Sequence, residues 1–270
     1  MSARDGRAWR RYAKRGHRRV PGWLEPPAID IFAAVMQHQA QVGIGGPVCE
    51  IGAHLGRTLI LLHLLSASGE RAVGFDRYEL QHEATGQERK RRLLAYAARH
   101  GADLGRIRLH TCDSTQLAAE ELIAVCGGRP RLVSIDAGRS AECVYGDLRL
   151  ARDVVVAGGV VSVTDFFREA WPEVAEGCCR FMYETGGLVP FALGGNKLFF
   201  TTHAEHAGAL QRALAAMAAG NERSTRMFGR PLTWLPPSTL RWRLARTWLW
   251  RALRGTTLAD ALRTSVTRGR

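Results

Sequence analysis

From about residue 28 to residue 203, short apolar runs alternate with longer segments of helical period, and the last two runs are separated only by Gly194-Gly195-Asn196. Apolar strands that alternate with helical crossovers are the pattern of stacked βαβ units on a parallel sheet. Val48–Ile51, Ala72–Phe75, Ile107–Thr111, Leu132–Ile135 and Val160–Val163 read as such strands. Helical patterns lie between them at Leu55–Leu65, Glu83–Arg99, Thr115–Val125 and Ala141–Val156, with a helix over Ala28–Gln41 before them and another around Val174–Glu184 after. Val189–Leu193 and Lys197–Thr202 are too close for a helical crossover, so they form a hairpin and reverse the sheet at its end. The expected fold is therefore α/β, a doubly wound Rossmann-like sheet, mostly parallel, with a reversed final edge strand.

A chain of 270 residues holds one such domain with extensions. At 46% hydrophobic and 23% charged residues, with no apolar stretch long enough to cross a bilayer, it reads as a soluble protein. The opening segment is basic but has no apolar core or cleavage site of a secretory signal, so the expected location is cytoplasmic. Six cysteines show no CxxC pair and no zinc-finger spacing, which points to free thiols.

The net charge of +13 is unevenly spread. Residues 1–27 carry +6, residues 28–220 carry −2 and residues 221–270 carry +9. The division that follows is a basic, mobile N-terminal arm over 1–27, the catalytic domain over 28–220, and an Arg/Trp-rich C-terminal extension over 221–270. In that extension Arg241–Arg254 forms a basic amphipathic helix, with Trp242, Ala245 and Leu249 on one face and Arg243, Arg251 and Arg254 on another. Such a helix suits peripheral contact with an anionic membrane or a homodimer contact. A slightly acidic core argues against nucleic acid as the partner.

The first strand runs into Glu50-Ile51-Gly52-Ala53-His54-Leu55-Gly56, an E-x-G-x-x-x-G turn at the crevice where doubly wound sheets bind ligands. No Gly-Lys-Ser/Thr follows, which excludes a P-loop, and the glycine spacing of a dinucleotide site is absent. Glu50 would repel a pyrophosphate but suits a ligand carrying an ammonium and a sulfonium. Asp76 ends the second strand, where an acid can accept both hydroxyls of a ribose. Asp113 ends the third, where a carboxylate can accept from an adenine amino group or cap the following turn. Asp136 and Asp165 end the fourth and fifth strands and face the reaction side. They can bind Mg²⁺ together, or one can serve as general base.

The phrases VCEIGAHLGRT, AVGFDRYEL, LHTCDSTQL, VSIDAGRSAECVYGDLRLARDVVVAGGVVSVTDFF and LVPFALGGNKLFF resemble class I S-adenosylmethionine-dependent methyltransferases, and within them methyltransferase domain family twenty-four. The resemblance implies the strand order 3-2-1-4-5-7-6 and S-adenosylmethionine as cofactor. It also implies that Glu50, Gly52, Ala53 and Gly56 surround its methionine portion, that Asp76 holds the ribose, that Asp113 lies near adenine, and that Asp136 borders the same site. The acceptor it implies is a small molecule, such as a hydroxyl of a sugar or secondary metabolite.

Relatives commonly carry a histidine where this chain has Arg139 and an aromatic where it has Ala141. A guanidinium can act neither as base nor as metal ligand. Arg139 would then recognise an anionic acceptor, lie on the rim, or mark a lost activity; His54 is the nearest alternative base. Catalytic candidates are thus Asp136, Asp165, His54 and Arg139. Two other readings remain: a nucleic-acid methyltransferase using the basic tails, and a non-catalytic interaction module that keeps the cofactor.

Overall fold

The computed structural model describes residues 3–78, 83–218 and 220–237. Its strands are β1 (Val48–Ile51), β2 (Ala72–Asp76), β3 (Ile107–Thr111), β4 (Leu132–Ile135), β5 (Val160–Thr164), β6 (Val189–Gly194), β7 (Lys197–Thr201), β8 (Arg223–Met227) and β9 (Arg230–Leu235). The helices are α1 (Ala3–Lys14), α2 (Pro26–Gln41), α3 (Arg57–Leu65), α4 (Glu83–Arg99), α5 (Ala119–Cys126), α6 (Ala141–Val154), α7 (Pro172–Arg180) and α8 (Ala204–Ala218).

The sheet runs β3-β2-β1-β4-β5-β7-β6-β9-β8. Its first seven members have the expected order, parallel from β3 to β5 and antiparallel at β5/β7 and β7/β6. Because side chains alternate across a strand, each face of the sheet collects its own core. Val48 and Ala72 pack with apolar residues of α1, α2, α3 and α8. Cys49 and Val73 pack on the other face with α5, α6 and α7. At the base of the sheet the buried Arg131 clips α2 in place, donating to Gln39 Oε1 at 2.8 Å and pairing with Glu70 at 2.7 Å.

Two regions differ from the sequence reading. The arm over 1–27 is docked rather than mobile in its described part, because a few large side chains anchor it. Tyr12 is buried and its hydroxyl donates to the Arg57 carbonyl at 2.8 Å, while Arg57 Nε donates to the Val20 carbonyl at 2.6 Å. Val20 and Leu24 are buried as well. The boundary at residue 220 also falls inside the sheet. β9 pairs in parallel with β6 through Ala192↔Thr233 and Leu193↔Trp234, and β8 pairs antiparallel with β9. Leu232 and Leu235 lie on opposite faces of the sheet and are buried one in each core, which explains why this hairpin adds to the sheet. β6 is therefore an inner strand and not an edge. The amphipathic helix expected at Arg241–Arg254 lies outside the described residues. No helix among the described residues is long and apolar enough to cross a membrane.

Candidate active site

The C-terminal ends of β1 to β5 open on one cavity of about 570 Å³. The glycine turn after β1 forms one wall. Gly52 and Ala53 donate their N–H groups to the Phe75 carbonyl at 2.7 and 3.2 Å, and the next amide, of His54, donates to Asp76 Oδ2 at 2.7 Å. The turn thus holds the Asp76 carboxylate at the end of β2, where it lines the cavity. Gly52 has φ +90°, and a Cβ there would sit 2.2 Å from the Asp136 carbonyl oxygen. Only glycine lets the ends of β1 and β4 come this close. Gly56 opens α3 in the left-handed region at φ +82°, under Leu93.

Glu50 lies behind this turn and is 2% exposed. Its Oε2 has no hydrogen-bond partner among the described residues. Burial pushes its carboxyl up to about 8, opposed by the charge of Lys197 and by hydrogen bonds from Thr58 and Leu59. One oxygen of this carboxyl is thus left unsatisfied in the interior, which is costly, and Glu50 stands behind the residues that line the cavity.

Asp113 has both oxygens engaged: Oδ1 accepts from the Thr115 amide at 3.1 Å and hydroxyl at 2.8 Å, and Oδ2 pairs with Arg77. The helix-capping alternative is therefore satisfied, while Asp113 still borders the cavity next to Cys112 and Ser114. Arg77 holds its carboxyl below the usual carboxylate range. His54 sits at the rim with φ +47°, its ring held below the ordinary histidine range by partial burial.

On the opposite side Asp136 and Asp165 share one guanidinium. Arg139 Nη2 lies 3.1 Å from Asp136 Oδ1 and 3.2 Å from Asp165 Oδ2, and its Nη1 donates to the Ala137 carbonyl at 2.8 Å. Arg139 is thus tied to the site and is not a solvated rim residue. Asp165, at φ +66°, is fixed by the hairpin loop: its N–H donates to the Asn196 carbonyl at 2.7 Å and its Oδ1 accepts from Asn196 Nδ2 at 3.2 Å. Burial raises the Asp136 carboxyl above the usual carboxylate range, against the pull of Lys197 and Arg139.

Sequence reasoning missed Lys197. It is fully buried, donates to Thr164 on the adjacent strand, and places Nζ 3.8 Å from Asp136 Oδ2. A lysine inside the apolar run of an inner strand was the available signal, since a buried lysine needs an acidic or polar partner. Trp23 was missed for another reason. It comes from the segment read as a mobile arm, yet it lines the cavity with Gly22, and Arg168 stacks over its ring at 4.7 Å.

The expected Mg²⁺ pair does not fit a divalent cation. Asp136 and Asp165 already face two fixed cations, and no group of three or more His, Cys, Asp or Glu among the described residues could hold a metal.

Residues 49–166 match a family model described as a methyltransferase domain. No curated protein matches the chain. Among solved structures it is similar to CalS11, a TDP-rhamnose 3'-O-methyltransferase of calicheamicin biosynthesis, at 16% identity and TM-score 0.50 over 74% of this chain and 95% of that one. It is similar also to the O-methyltransferase NovP, at 10% identity and TM-score 0.51 over 64% and 78% of the two chains. A third similar structure is the O-methyltransferase TomG of Streptomyces achromogenes in complex with SAM, at 14% identity and TM-score 0.50 over 75% and 91%. At these identities the likeness concerns the fold, and the strand order with its reversed β7 agrees with it. Residues 49–166 are thus similar to a methyltransferase domain, within a fold that the chain shares with these solved O-methyltransferases.

Proposed function

We propose that this chain transfers the methyl group of S-adenosylmethionine to a hydroxyl of a ring-bearing small molecule, a sugar or secondary metabolite. The observation that carries the reading is the single cavity in which Asp76 and the glycine turn lie across from Asp136. Its volume, about 570 Å³, is within the range of small-molecule sites. Trp23 and Trp171 line it and are 52% and 42% exposed; with Arg168 over one ring and Arg139 over the other, each leaves at most its second face for an acceptor to stack on. The similar structures named above as O-methyltransferases support oxygen as the acceptor atom.

In this reading Asp76 accepts the ribose hydroxyls while the His54 amide fixes its other face, and Glu50 partners the ammonium. When bound, the cofactor would supply an electrophilic methyl whose bonding pair stays with sulfur, and Asp136 would take the proton of the acceptor hydroxyl that receives it. Asp136 is better suited than Asp165 to take that proton. Both Asp165 oxygens are engaged at 3.2 Å, whereas Asp136 Oδ2 has only the looser contact with Lys197 at 3.8 Å. The chain's remaining contribution is to hold the two reactants in line and keep water out.

Calorimetric titration with S-adenosylmethionine tests the first half of this reading. Asp76→Ala is expected to weaken binding about 10- to 100-fold, the loss of a charge-assisted hydrogen bond or two. Equal affinity in the two proteins, or no binding to the unaltered one, would sink it.

Glu50 gives the binding a pH signature. With its carboxyl at about 8, the free protein holds this proton at neutral pH, and a bound ammonium favours the ionised form. Binding therefore releases a proton below about pH 8, and affinity rises with pH, by up to about tenfold per unit, until that pH is reached. Titrations in buffers of different ionisation enthalpy are expected to report proton release close to one, and Glu50→Gln is expected to remove both the release and the slope.

A further inference from the structure

The two strand-end carboxylates bracket a position where a divalent cation would be expected to bind the acceptor oxygen, and that position is taken by a side chain of this protein. One nitrogen of Arg139 reaches both Asp136, at 3.1 Å, and Asp165, at 3.2 Å, and Lys197 stands at 3.8 Å on the far side of Asp136. Two carboxylates are thus matched by two cations inside the wall of the cavity. A divalent ion added between them would meet repulsion from both, and three of the four carboxylate oxygens already face Arg139 or Asn196 at 3.1–3.2 Å, Asp136 Oδ2 being the one with only the 3.8 Å contact to Lys197.

We propose that Arg139 is the built-in cation of this active site, standing between Asp136 and Asp165 in place of a metal and holding the acceptor oxygen beside Asp136, so that methyl transfer by this chain needs no divalent ion. The proposal rests on the methyl-transfer reading above. A guanidinium has five N–H donors. Arg139 directs them at Asp136, Asp165 and the Ala137 carbonyl, which leaves donors over for a ligand in the cavity that it lines. Its position is fixed from several sides: the Trp171 ring lies 5.7 Å from Cζ, and Asp165 is itself held by Asn196. Such a group stays charged at any working pH and stabilises the negative charge that develops on the acceptor oxygen as its proton leaves. The departure from the family's usual histidine is then a change in how the oxygen is held. It does not mark the loss of the reaction.

The probe is Mn²⁺, followed by calorimetry on the full-length protein, with methyl transfer measured in the presence of EDTA or Mg²⁺. The unaltered protein is expected to show no saturable Mn²⁺ binding up to millimolar concentration, and its rate is expected to change less than twofold with either addition. Arg139→Ala uncovers the two carboxylates; it is expected to gain Mn²⁺ binding and to lose about 100-fold in kcat without metal. Arg139→Lys keeps the charge without the fork, and is expected to lose kcat without gaining Mn²⁺ binding. Saturable Mn²⁺ binding to the unaltered protein that disappears in Asp165→Asn would overturn the proposal, as would a rate abolished by EDTA or an undiminished kcat in Arg139→Ala. The Mn²⁺ result does not depend on the alanine variant folding. S-adenosylmethionine titration of the same samples separates the two ideas, because absent cofactor binding speaks against methyl transfer and not against the occupied metal position.

Discussion

Asp136→Asn is expected to bind S-adenosylmethionine with little change and to transfer methyl groups about a thousandfold more slowly, the middle of the range for losing a general base. An amide cannot take up the acceptor's proton, yet it keeps the shape and can still accept from Arg139, now 3.1 Å from Oδ1. Asp165 is a poor substitute, with one oxygen accepting from Asn196 at 3.2 Å and the other facing Arg139 at 3.2 Å. Burial, which raises the Asp136 carboxyl, brings this base closer to a useful proton affinity at neutral pH. The acidic limb of the pH–rate profile is expected to disappear with the substitution. If the variant keeps its rate within about threefold, the proton goes elsewhere, and His54 at the rim becomes the residue to replace.

Gly52→Ala is expected to destabilise the fold itself. The added Cβ would lie 2.2 Å from the Asp136 carbonyl oxygen and 2.8 Å from Ala137 Cα, both backbone, so no flexible side chain can yield. The backbone at φ +90° is in addition one that an L-residue adopts only under strain. Overpacking and strain together cost about 3 kcal/mol or more. A thermal midpoint lower by roughly 5–10 °C is the expected reading for a domain of this size. An unchanged midpoint would mean that β1 and β4 are not in contact where the structure places them. Any variant that does fold is expected to bind the cofactor poorly, because the same turn aims the His54 amide at Asp76.

Much of the fold was legible because local and long-range signals agreed. Val48–Ile51 and Leu132–Ile135 were read at their observed bounds, and the short Gly194-Gly195-Asn196 connection alone required the reversal between β6 and β7. The strand-end acids were legible for the same reason, since a crossover topology carries Asp76, Asp113, Asp136 and Asp165 to one end of the sheet. What escaped the reading depended on contacts distant in sequence. Nothing local indicates that Tyr12 will donate to the Arg57 carbonyl, and so Trp23 was not placed beside the cavity. The β8–β9 hairpin carried a signal that was passed over: Phe228-Gly229 between two short runs is turn chemistry, with Phe228 at φ +50°. Arginine at positions 223, 226 and 230 hid the strands, because the segment was read as part of a basic extension outside the domain.

Those arginines bear on how the sheet meets other sheets. Among the described residues it ends in β8 on one side and β3 on the other, with Arg223 and Arg226 exposed on the first and Arg108 on the second. An open strand is a template for pairing with another chain, and charge placed along it is a common defence. Two copies aligned edge to edge at β8 would crowd guanidinium against guanidinium. Charge so placed works against a second copy extending the nine-stranded sheet at that strand.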